Sequence, residues 1–117
     1  MQYLLLIYNT PENVEASRCD TTMMQEYGDF TRGIIASGNY KGGNPLQPVA
    51  TATSVRVRGG KTLLTDGPFA ETAEHLGGYY LIEAGNLDEA TAIAARIPGA
   101  RNGTIEVRPI MSVPSPA

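Results

Sequence analysis

At 117 residues the chain is long enough for one domain and one core, burying roughly 65% of its unfolded surface. Nine basic and twelve acidic residues leave a net charge of −3, and the basic residues are dispersed, so the composition offers no electrostatic footprint for nucleic acid. Cys19 is the single cysteine, which excludes an intramolecular disulfide and a cysteine-based zinc centre and points to a reducing cytoplasm.

The first element expected is a strand over Tyr3 to Tyr8, apolar at odd and even positions alike, which places it centrally with both faces covered. It lacks a basic leader and falls far short of the ~20 residues that span a bilayer, so no membrane partner is expected. A polar loop then runs from Pro11 to Cys19. Thr22 and Gln25 fit a capping box that opens a helix, with Met23, Tyr27, Phe30 and Ile34 recurring at helical spacing and Gly38 as the stop. Met24, Thr31 and Ile35 widen that stripe.

Tyr40 to Pro48, rich in Gly and Pro, reads as a strand fragment or extended loop. Thr53 to Arg58 alternates, with Val55 and Val57 on one face and Arg56 and Arg58 on the other. Gly59-Gly60 is a two-residue reversal, and Lys61 to Thr65 is the return strand of the hairpin. Tyr79 to Ala84 is a second strongly apolar strand. Asn86 caps a helix with Leu87, Ala90, Ile93, Ala94 and Ile97 on its inner stripe, Pro98-Gly99 stops it, and Thr104 to Ile110 is the last strand. The organisation is a single domain over residues 1–111 followed by a flexible tail, 112–117.

This order predicts an α+β fold, a ferredoxin-like βαββαβ sandwich with an inserted β-hairpin. Two helices cover only one sheet face, yet two strands are apolar on both. The uncovered face therefore calls for a partner, and a homodimer packed sheet to sheet is the expectation.

The richest run for chemistry is Asp66-Gly67-Pro68-Phe69 through Tyr80. Asp66 is read in two ways: as the cap of an Asx-turn before a helical start at Pro68, or as a carboxylate facing a pocket as general base or acceptor. If Phe69 to Leu76 is helical, Glu71 and His75 are four apart and share a face, and histidine is the side chain best placed to exchange protons near neutral pH. Asp66, Glu71 and His75 are thus the candidate catalytic set, with a surface histidine as the plainer alternative. The candidate substrate-binding residues are Arg56, which could clamp a carboxylate or simply lie on a solvated strand face, Tyr80, which could present its phenol to a pocket or to a dimer seam, and Gln47. Gly77-Gly78 reads as a bulge or a close backbone approach. No metal site and no cofactor are expected, since neither metal-ligand spacing nor a P-loop or dinucleotide fingerprint is present.

The chain resembles the YCII-related family, and within it the branch named for its Asp-Gly-Pro-Phe (DGPF) motif. The resemblance is carried by Tyr3 to Tyr8, Leu46-Gln47-Pro48, Thr51-Ala52-Thr53, Val55 to Arg58, Thr65 to Thr72, Leu76 to Ile82, Leu87 to Ala90 and Val107-Arg108-Pro109. It implies a dimeric α+β barrel and an active-site cleft lined from the DGPF turn, with Asp66 and Glu71 carried over. A histidine early in the chain that the wider superfamily employs has no counterpart here. His75 stands where relatives often have glutamine, and Asn44-Pro45 where an acidic residue is frequent. Two functions follow as expectations: a small lyase- or isomerase-type enzyme binding a small organic molecule in a dimer-associated cleft, or a non-catalytic interaction module linked to sigma-factor regulation.

Overall fold

β1 (Gln2–Asn9) runs through the interior of a four-stranded antiparallel sheet in a computed structural model that describes residues 1–70 and 72–114. It pairs with β5 (His75–Glu83) on one side and β6 (Thr104–Pro109) on the other, and β2 (Tyr40–Pro45) closes the far edge of β5, giving the order β2-β5-β1-β6. Register follows side-chain alternation: Leu5 lies opposite Tyr80 and Val107, and Tyr3 opposite Ile82. Tyr3, Leu5 and Ile82 meet Phe30 and Ile34 of α2 (Thr21–Ala36) and Ala90, Ile93 and Ala94 of α3 (Leu87–Ala95) in one core. The α+β architecture with its central first strand is therefore the one expected. On the other sheet face Leu4, Leu6, Tyr8 and Leu81 are half-buried.

Three local expectations change. The segment from Pro11 is a helix, α1 (Pro11–Arg18), with Thr10 accepting from the Asn13 amide and proline at the helix start, where its missing N–H costs nothing. α2 is capped by Asp20, which accepts from the Thr22 and Met23 amides, so no capping box forms at Thr22; within the stripe Phe30 and Ile34 are buried while Met24 and Ile35 face solvent. Around the DGPF turn, Pro68 to Ala70 and Thr72 to Glu74 form no helix, and His75 already opens β5, so the helical pairing of His75 with Glu71 does not hold; Glu71 itself lies outside the described residues. Ala70, Ala73 and Glu74 favour helix locally, but pairing of His75 with Asn9 draws the chain into β5 and overrides that propensity.

β3 (Thr53–Arg58) and β4 (Lys61–Asp66) form a separate two-stranded arm, turned by Gly59 and Gly60 with φ of 56° and 75°. Positive φ at both positions is what a tight two-residue hairpin turn demands. The arm lies away from the body: the radius of gyration is 16.2 Å, whereas a compact chain of this length would have about 13 Å. Gly77 is the extra residue where the β1–β5 register shifts, and a Cβ on Gly78 would press within 3.1 Å of the Asn44 carbonyl, so this pair serves both as bulge and as close approach. Of the expected tail, Ser112 to Pro114 are exposed chain and 115–117 lie outside the described residues. No helix among the described residues is long and apolar enough to cross a membrane.

Candidate functional site

A cleft of about 470 Å³ opens between α1, α2 and the ends of β1, β2 and β5. Its floor comes from Ile7 of β1, Tyr27 of α2 and Tyr80 of β5, which pack against the edge of the hydrophobic core. The Tyr80 ring is held edge-on by Phe30 and Tyr40, with centroids 5.2 and 6.4 Å away. Gly43 permits this, since a Cβ there would lie 2.8 Å from the Tyr80 ring.

Hydrogen-bond direction in the cleft is fixed by what each hydroxyl has already spent. Thr31 Oγ1 donates to the Tyr27 carbonyl at 2.8 Å, so the 2.7 Å contact with Tyr80 has the phenol as donor. Tyr27 Oη accepts from the Gly99 amide at 3.2 Å, and its own hydrogen is unspent among the described residues. Burial pushes both phenols above the usual tyrosine range, opposed in part by the Gly99 hydrogen bond for Tyr27. Both are therefore protonated at neutral pH.

Asn9, at 7% exposure, anchors the wall. Its Nδ2 donates to Asn102 Oδ1 at 2.9 Å, while its Oδ1 accepts from the Thr10 amide and from Asn13 Nδ2, tying the start of α1 to the loop before β6. Arg18, in the last turn of α1, is the one charged side chain on the cleft lining among the described residues, and its Nε lies 3.8 Å from Glu15.

A second cleft of about 760 Å³ lies at the root of the arm, where Tyr8 and Leu76 meet Ser54, Pro68, Phe69 and Thr72. The DGPF turn is held here by backbone: Gly67 donates to the Ala52 carbonyl at 2.6 Å, and Ser54 Oγ donates to the Gly67 carbonyl at 2.8 Å. Gly67 takes φ of 99°. The Asp66 carboxylate makes no hydrogen bond among the described residues, so the Asx-turn expected there is replaced by these two bonds.

The expected site residues are dispersed. His75 and Gln47 share the second cleft, and Tyr80 stands in the first. Asp66 and Arg56 line neither. Both are exposed on the arm, where Thr53 opposes Asp66 and Leu63 opposes Arg56, so strand alternation puts the two on opposite faces. Sequence reasoning missed Asn9 and Arg18, and assigned Tyr27 and Thr31 to packing alone. The signal for α1 was legible: Thr10, then Pro11 and Glu12, is a helix start.

A YCII-related domain model matches residues 1–114. The chain belongs to the YCII-related family. An uncharacterized protein of Rhizobium meliloti (strain 1021) is 35% identical over 114 residues, covering 94% of this chain and 92% of the relative. The YCII-related domain thus takes in both clefts, the arm and every element of the sheet.

Proposed function

We propose that this YCII-related protein binds a small organic molecule in the cleft between α1, α2 and the sheet. The observation that carries this reading is the pairing of an aromatic floor at Tyr27, Tyr40 and Tyr80 with polar groups that still have hydrogen-bonding capacity, in a volume within the usual 300–1,000 Å³ of ligand sites. Among the described residues the cleft lining holds neither histidine nor carboxylate, which favours binding over acid-base work at that place. A lyase- or isomerase-type reaction is the second reading, favoured by His75 and Gln47 on the lining of the second cleft. The interaction-module alternative, with its link to sigma-factor regulation, draws support only from the exposed arm.

Ser17→Trp tests the binding reading by filling the mouth of the cleft. It should abolish ligand-induced changes in the amide spectrum around Tyr27, Thr31 and Tyr80 while leaving the melting temperature within a few degrees of wild type. Retained ligand response in this variant would sink the reading.

The strand order β2-β5-β1-β6 with two helices on one face supports the ferredoxin-like assignment, and the uncovered Leu4, Leu6, Tyr8 and Leu81 support a homodimer that closes into an α+β barrel. The DGPF turn at Asp66 to Phe69 supports placement in that branch, in a single domain over residues 1–111. A cytoplasmic location fits the lone, free and exposed Cys19.

A further inference from the structure

The lining of the first cleft is unbalanced in charge and in hydrogens. Among the described residues Arg18 is the one charged group on it, and its contact with Glu15 is long, at 3.8 Å, with the Glu15 side chain 76% exposed, so water screens most of that attraction. The guanidinium Nη atoms have no acceptor among the described residues. Tyr27 has spent its acceptor capacity on Gly99 and keeps its hydrogen. Asn9 is engaged on both sides of its amide, and Ser17 has given its hydrogen to the Asn13 carbonyl. The Arg18 guanidinium and the Tyr27 phenol remain to donate, alongside the Tyr40 and Tyr79 hydroxyls and one Nδ2 hydrogen each of Asn9 and Asn44 on the same lining, and Arg18 alone among these donors carries a charge. A donor set that includes a fixed cation matches an oxyanion, which only accepts. The remaining surface is apolar and aromatic, from Ile7, Val14, Leu46, Tyr40 and Tyr80, and suits a flat body.

Resting on the binding reading above, we propose that the ligand is a small planar organic anion, its carboxylate or equivalent oxyanion held by Arg18 and Tyr27 and its apolar body laid against Tyr40 and Tyr80. The competing occupant of an aromatic cleft is an organic cation over the tyrosine rings. Arg18 at the same lining repels it. Tyr80 Oη, with its hydrogen committed to Thr31, keeps acceptor capacity that a hydroxyl elsewhere on the ligand would use.

Benzoate, benzamide and benzylammonium share one body and differ in charge, so they separate these cases in amide-shift titrations of the full chain. Benzoate should bind at least tenfold more tightly than benzamide, shifting Arg18, Thr31 and Tyr80, and benzylammonium should bind most weakly. Arg18→Gln should remove the advantage of benzoate over benzamide, and Tyr27→Phe should reduce that advantage several-fold. Equal binding of benzoate and benzamide, or preference for benzylammonium, would overturn the anion assignment while leaving the cleft a binding site. If none of the three shifts the cleft residues, both the assignment and the binding reading fall.

Discussion

Gly103 shows how tightly the wall of the first cleft is built. A Cβ at this position would lie 2.2 Å from the Tyr8 carbonyl oxygen and 2.9 Å from Asn9 Cγ, and backbone on one side with a bonded amide on the other leaves little room to give. Gly103→Ala should therefore cost about 2 kcal/mol or more, in the range of overpacked interiors. Urea unfolding should show this as a lower midpoint at unchanged slope; an unchanged midpoint would mean that the Asn9–Asn102 link is looser than its 2.9 Å bond indicates. The phenols make a second prediction. With folded pKa values raised above the ordinary 10.0, the fold binds those protons more tightly than the unfolded chain does. Their contribution is fully present below pH 10.0 and is lost as pH rises through the folded values. The melting temperature should fall on the alkaline side, and Tyr27→Phe and Tyr80→Phe should each flatten that fall. Equal alkaline slopes in wild type and both variants would contradict it.

At the scale of elements, α1 is a wall with little of its own to hold it. None of its residues is buried, and its amino end is tied through Asn9 and Thr10. Asn9→Ala removes three hydrogen bonds at a buried position, leaving Asn102 and Asn13 without that partner, and should cost on the order of 1–3 kcal/mol. Hydrogen exchange should quicken over residues 11–18 far more than over the core strand β1. Uniform acceleration across the chain would mean that Asn9 supports the whole fold equally. The sheet strands, α2 and α3 were legible because their patterns are strong: β1 is apolar throughout, the Phe30–Ile34 spacing is helical, and Asn86 caps α3 by accepting from Glu89. α1 escaped because it buries nothing, so no apolar period announces it, and only the Thr10-Pro11 start gives it away. The site escaped for a different reason. Tyr80 alone was anticipated as a phenol facing a pocket; Tyr27 and Thr31 obey the core pattern, and only the folded packing decides that their polar ends reach a void.

For the molecule as a whole the arm is the unusual part. A lone two-stranded hairpin is marginal in water, yet this one exposes Val55, Val57 and Leu64 at 61%, 59% and 68%. Those three share a face by the β3–β4 register, while Arg56, Arg58 and Lys61 share the other. If the proposed homodimer covers that apolar face, Val55→Thr with Leu64→Thr should shift dissociation to at least tenfold higher protein concentration. Light scattering across a dilution series reads this directly, and an unchanged midpoint would detach the arm from the assembly. Whatever the arm meets, its root alone faces the body, across the second cleft at Tyr8 and Leu76, with the Gly67 bonds closing its base. Such a part can be shortened, lengthened or exchanged between relatives at small cost to the core. Within the arm, the tip from Gly59 to Leu64 lies outside the stretches that carry the family resemblance, so related proteins that keep the first cleft should differ there first.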